Sequence, residues 1–155
     1  MENKIETKKI EDYQTPETKK EVKEIVKKDK AIVRGLDLPI STKNAIYTCE
    51  FIKGKKIDDA INLLENVLKK KIVLPMRGEI PHRKGNVNVG RWPENSTKVF
   101  IKLLKCLNAN AQVNGMENPY ISEGISNLAS RPHRRGGSQR FKRTHVLLVA
   151  REKKV

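Results

Sequence analysis

Two periods run through the apolar positions of this chain, and together they divide it into helices and strands. Ala45, Ile46, Cys49 and Ile52 have the spacing of one helical face, with Ser41 placed to cap the start and Gly54 to follow the end near Lys53. Ile57, Ala60, Ile61, Leu64, Val67 and Leu68 recur at i, i+3, i+4, i+7, i+10 and i+11, which predicts a helix from Ile57 to about Lys70. Asp58 and Asp59 fall in its first turn and the lysines at 69–71 in its last, each sign matched to the helix dipole. The short link at 54–56, Gly-Lys-Lys, predicts that these two helices fold back on each other as an αα-hairpin. Pro93 suits the first turn of a third helix, which runs to Asn114 before Gly115 and buries Val99, Phe100, Leu103, Leu104, Leu107 and Ala111.

Strand character appears at both ends of this helical block. Residues 31–38 form a short candidate strand closed by Pro39. Residues 119–128 and 141–151 are apolar or β-branched, and between them lies RPHRRGGSQR (131–140), whose proline and glycine pair exclude regular structure. The two runs read as a hairpin whose arms, about ten residues each, would reach ~30 Å at ~3.3 Å per residue. Its proximal halves should join the strand at 31–38 while the distal halves project. The expected fold is α+β: three helices packed on a small antiparallel sheet, with a long protruding β-hairpin. One domain should span 30–155, including a loop at 72–92 and the hairpin at 119–151. Residues 1–29 carry too few apolar side chains for a core (Ile5, Ile10, Val22, Ile25 and Val26) and are expected to be disordered away from a partner.

Charge changes the picture from fold to partner. The net charge is +15 over 155 residues. Residues 1–30 contribute nine lysines against eight acids, so the excess lies in the folded part. From Gly124 to Arg151 there is no Asp or Glu, while Arg131, Arg134, Arg135, Arg140, Lys142, Arg143 and Arg151 all lie there. The loop at 72–92 adds Arg77, His82, Arg83, Lys84 and Arg91 against the single acid Glu79. Long, irregular, acid-free segments of this kind suit a polyanion, and Arg with its planar fork suits phosphate. Irregular RNA fits such an arm better than duplex DNA does. Trp92 and Phe141 could stack on a base, or pack beneath the arginines. No helix has a wide lysine face opposite aromatics, so a membrane surface is the lesser alternative.

Signals for chemistry are weak. No Ser/His/Asp order, HExxH or phosphate-cradling glycine loop occurs, and RKGNVNVG (83–90) follows no strand. His82, His133 and His145 lack accompanying carboxylate pairs, which favours phosphate positioning over acid–base catalysis. No catalytic residue, metal ligand set or cofactor is expected. Cys49 and Cys106, each in a helical pattern, should be reduced thiols at least half buried, as in a cytoplasmic protein. The N-terminus has no apolar signal region, and no run is long enough for a membrane span.

Six motifs then appear in order: RGLDLPISTK (34–43), FIKGKKIDDAINLLENV (51–67), HRKG (82–85), GRWP (90–93), LLKCLNANAQVNGM (103–116) and KRTHVLLVARE (142–152). Together they closely resemble the universal large-subunit ribosomal protein family numbered twenty-two in bacteria and seventeen in eukaryotes, in its archaeal and eukaryotic branch. The resemblance covers roughly 31–152. It implies binding to large-subunit rRNA during assembly, contacts with neighbouring ribosomal proteins, and a β-hairpin lining the nascent polypeptide exit tunnel. It implies no enzymatic activity and no homo-oligomer. Carried over to matching positions, it assigns Arg34, Lys43, Lys53, Lys55 and Lys56 to an RNA-facing end of the body. Arg77 with His82, Arg83, Lys84, Arg91 and Trp92 would belong to the rRNA-binding loop. Arg131, Arg134, Arg135, Arg140, Lys142 and Arg143 would lie along the hairpin.

Three departures stand out. RPHRRGGSQRF does not reproduce the family's PRAxGR tip, so the residue facing the tunnel lumen stays open. LPMRG stands where relatives tend to carry PFRR, and residues 1–29 match nothing. An architectural DNA-binding protein with a β-arm is the alternative, kept alive by Pro132 as a wedge. A His-dependent ribonuclease is the more distant one.

Overall fold

A computed structural model describes residues 29–77 and 89–152. The elements run β1 (Lys30–Leu38), α1 (Thr42–Ile52), α2 (Ile57–Leu68), β2 (Leu74–Pro75), β3 (Gly90–Arg91), α3 (Glu94–Val113), β4 (Pro119–Leu128) and β5 (Thr144–Glu152). β5 is the central strand of an antiparallel sheet ordered β1-β5-β4, and β2 pairs with β3 in a separate two-stranded ladder. The α+β expectation holds: three helices lie against one face of a small antiparallel sheet.

Alternation along β5 explains the two-layer build. Val146, Leu148 and Ala150 point into the core, where they meet Ile52, Ile57, Leu64, Phe100, Leu104, Leu107 and Ile121. The α3 stripe is as expected at Phe100, Leu104, Leu107 and Ala111, with Val99 and Leu103 partly buried at its edges. Close packing constrains the sequence at Gly124, where an added Cβ would stand 3.1 Å from the Cys49 Cβ, so glycine lets α1 approach β4.

Several expectations need correction. Ile46 is exposed and Thr48 takes its place inside, its hydroxyl donating to the Asn44 carbonyl at 2.8 Å. That bond is the usual way a threonine satisfies itself within a helix. α1 and α2 do not pair as an αα-hairpin: α1 packs chiefly on β4 and α2 on α3. The cause is the link itself, which runs beside β4 with Gly54 N–H bonded to the Ile121 carbonyl and Ile121 N–H to the Lys55 carbonyl. Gly54, at φ +78°, makes the turn that starts this clamp. α2 ends at Leu68, so the lysines at 69–71 follow the helix instead of filling its last turn. α3 starts at Glu94, one position later than expected, with Pro93 as its N-cap. The return strand begins at Thr144, not at 141. β1 pairs with it from Arg151 to Thr144, so the strand arms lie within the sheet and only 129–143 extends past it, in place of projecting distal halves. The loop at 72–92 is not wholly irregular, since Leu74 and Met76 are buried beside Tyr47 and Phe51. Cys106 is exposed, whereas Cys49 is buried. Residues 1–28, and with them nearly all of the expected disordered segment, lie outside the described residues.

Candidate nucleic-acid interface

The tip between β4 and β5 is held by its own backbone. Beyond the last strand pair, Leu128 with Thr144, Ala129 N–H donates to the Arg143 carbonyl at 3.2 Å and Phe141 N–H to the Pro132 carbonyl at 3.0 Å. Arg134 N–H then reaches the Gln139 carbonyl at 2.8 Å, and Gly137 N–H returns to the Arg134 carbonyl at 3.0 Å. Gly136 and Gly137, at φ +101° and +82°, make the reversal. The pairing thus continues beyond the sheet with a one-residue slip, from Leu128 opposite Thr144 to His133 opposite Arg140, and every side chain from 130 to 142 is exposed.

The base of the tip is fastened to β1. A bulge between Gly35 and Leu38 puts Asp37 at φ +49°, a conformation aspartate tolerates better than most residues. The Arg143 guanidinium donates to the Asp37 carbonyl at 3.0 Å, and Asp37 N–H donates to His145 Nδ1 at 3.2 Å. Buried Thr144 donates its hydroxyl to the Ile40 carbonyl at 3.0 Å and lies 2.9 Å from the Thr42 hydroxyl. The tip's direction is therefore set by bonds into the body.

Charge at the tip is offset by little. Arg134 and Arg143 lie over the Phe141 ring at 5.0 and 5.8 Å, so that aromatic is a floor for two guanidinium groups. Arg131, Arg135, Arg140 and Lys142 are exposed, and no ion pair among the described residues involves the tip arginines. Arg151, the one cation of this acid-free stretch left outside the candidate set, is bonded to Glu123 at 2.9 Å at the opposite end of the sheet. The hairpin is thus polar along its length, with its acids at the root and uncompensated arginines at the tip.

Of the other predicted residues, most of those described fall into two groups. Lys142 and Trp92 share a cleft of about 390 Å³ with Pro39, Ser41, Asn44 and Asn95. The first turns of α1 and α3 open onto this cleft, and neither helix has a side-chain cap, so the positive ends of two helix dipoles face it. Lys43 is exposed in that first turn of α1. A second cleft of about 400 Å³, at the far end of α1, joins Lys53 and Lys55 to Arg77 across the Tyr47 and Phe51 rings. The Tyr47 hydroxyl donates to the Arg77 carbonyl at 3.0 Å, and Lys55 lies over Phe51 at 5.9 Å. Lys56 is exposed beside it, bridged through its backbone to Tyr120. Lys43 and Lys53 thus stand ~15 Å apart at opposite ends of α1 and do not form one patch. Arg34, exposed on β1 opposite Leu147, and Arg91, exposed on β3 opposite Leu74, lie apart from both clefts. His82, Arg83 and Lys84 lie outside the described residues.

The family model described as "Ribosomal protein L22p/L17e" matches residues 33–149, well over half of the chain. The chain belongs to the L22p/L17e family. Its relatives include a "Large ribosomal subunit protein uL22" of Archaeoglobus fulgidus, 38% identical over 88 residues, covering 54% of this chain and 57% of the relative. The protein of the same name from Picrophilus torridus is 37% identical over 92 residues, covering 57% and 60%. That of Staphylothermus marinus is 29% identical over 133 residues, covering 75% and 85%. In the first two comparisons the match spans less than two thirds of the relative's length. The L22p/L17e match takes in the tip, the sheet and all three helices.

The His133 ring nitrogen Nδ1 is 2.8 Å from the Gly137 carbonyl, so the imidazole braces the tip turn. Among the described residues no group of three or more His, Cys, Asp or Glu is placed to hold a metal ion. No helix among them is long and apolar enough to cross a membrane. One basic set was passed over in the sequence: Lys98, Lys102 and Lys105 share a groove with Lys69 between α2 and α3. Their i, i+4, i+7 spacing, which places them on one face of α3, was the signal in the sequence that could have found them.

Proposed function

We propose that this protein is a structural, non-enzymatic constituent of the large ribosomal subunit in the cytoplasm, binding rRNA during assembly and directing its β-hairpin into the nascent polypeptide exit tunnel. The observation that carries this reading is the backbone-braced tip, exposed throughout, with its arginines unpaired and fastened at its base to β1. In this account phosphate neutralisation supplies affinity through counterion release. The bonds of Thr144 and Arg143 into the body supply direction. Lys53, Lys55 and Arg77 form a second contact, where the Tyr47 and Phe51 rings offer stacking surface beside the charge. Family membership supports the rRNA partner and neighbouring ribosomal proteins, and the relatives' names place those proteins in the large subunit.

The test is competition binding at fixed ionic strength. The full chain should retain a structured large-subunit rRNA fragment when challenged with equal nucleotide amounts of duplex DNA. Preference for the duplex, together with a dimer in solution, would favour the architectural DNA-arm reading instead. RNA cleavage lost on substituting His82 and His133 would favour the ribonuclease.

A further inference from the structure

The groove between α2 and α3 differs in chemistry from every surface assigned above. Lys98, Lys102 and Lys105 lie on the side of α3 opposite its core stripe, spanning ~10 Å of helix. With Lys69 they rim a depression of about 500 Å³ whose floor is formed by the half-buried Leu68 and Ile101. Glu65 is its one acid, and none of the four lysines joins an ion pair among the described residues. Among the described residues the groove has no arginine and no aromatic ring in its lining.

That composition argues against RNA. The tip and the α1 cleft combine cations with Phe141, Phe51 or Tyr47, as nucleic acid recognition favours. An aliphatic floor offers a sugar–phosphate backbone nothing and gains only when apolar side chains cover it. An amphipathic helix would do this, setting aliphatic anchors at i, i+3 and i+4 into the groove. Carboxylates on its flanks would meet the lysine rim, where complementary charge fixes register and speeds encounter. We propose that the α2–α3 groove docks an acidic amphipathic helix of another protein. Protein and RNA would thus be sorted to different faces: aliphatic and lysine-rimmed for the first, aromatic or arginine-bearing for the second. The proposal is independent of the RNA reading.

The test uses the isotopically labelled full chain and a synthetic probe helix with leucines at i, i+3, i+4 and i+7 and glutamates elsewhere. The expected result is saturable movement of the amide signals of Leu68, Lys69 and Ile101. It should be absent with a scrambled peptide of the same composition and lost in the Lys102→Glu/Lys105→Glu variant. Those two side chains are exposed, so the variant should keep its helix content. Equal binding of the scrambled peptide, shifts confined to the tip, or no shift at all would each overturn the proposal. So would an rRNA fragment that moves the same groove signals, an outcome that would leave the RNA reading intact.

Discussion

Neutralising three tip arginines separates a binding role from a structural one. Arg134, Arg135 and Arg140 are exposed, and their side chains make no hydrogen bond or ion pair among the described residues. Of the three, Arg134 lies over an aromatic ring, that of Phe141 at 5.0 Å. Such an exposed cation–π contact is worth about 0.5–1 kcal/mol, so the Arg134→Gln/Arg135→Gln/Arg140→Gln variant should melt only a few degrees lower with unchanged helix content. Binding should respond far more. Each phosphate neutralised contributes roughly 0.7–0.9 to the slope of log K against log salt, so losing three contacts flattens the slope by about 2.1–2.7. Over a fourfold rise in salt, that difference is roughly 20- to 40-fold in relative affinity. Fluorescence anisotropy with a labelled rRNA fragment, repeated across that range, reads it directly. A variant that binds more weakly with an unchanged slope would refute the phosphate argument. One that loses helix content would show that the tip belongs to the core.

Three further outcomes follow from the packing and the titration. Thr144→Val removes the buried hydroxyl that donates to the Ile40 carbonyl and meets Thr42, and should cost about 1–3 kcal/mol in urea unfolding; no loss would mean the base of the tip is not fastened there. Gly124→Ala forces a Cβ to 3.1 Å from the Cys49 Cβ, and should cost about 1–3 kcal/mol unless α1 shifts freely. Burial pushes the Cys49 thiol above its ordinary 9.0, against the opposing Ser126 hydrogen bond. The folded protein therefore holds that proton where the unfolded chain has lost it, so this thiol's contribution to stability is level below pH 9.0 and is lost as pH rises above it. Cys49→Ala should flatten that fall, and in the native protein a thiol reagent should modify exposed Cys106 well before Cys49.

Much of this fold could be read from the chain because its signals are local and periodic. The α2 and α3 stripes, the capping glycines 54 and 115, and the span of β4 depend on neighbours in sequence, and they stand as expected. The failures share a cause, which is tertiary contact. The 54–56 link looked like a simple reversal, yet Ile121, far along the chain, captures its backbone and splays α1 from α2. Ile46 matched the helical period, but the face of α1 is set by where Gly124 lets β4 approach, and Thr48 turns inward.

The site divides in the same way. Unpaired charge at the tip was visible as an absence of acids. The bracing of Arg143 and His145 against Asp37 was not, because it depends on a bulge more than a hundred positions away in sequence. The convergence of Lys53 and Lys55 with Arg77 likewise depends on Tyr47 and Phe51 bringing the segment after β2 onto α1.

The most direct test of the central claim is sedimentation of a native cell extract through a high-salt gradient, with each fraction probed for this chain. Co-migration with the large subunit after the salt wash is the predicted result, because the tip, the α1 cleft and the directed hairpin together should hold the protein as an integral component. Release into the light fractions would contradict the account, leaving a loosely bound factor on a ribosomal-type scaffold.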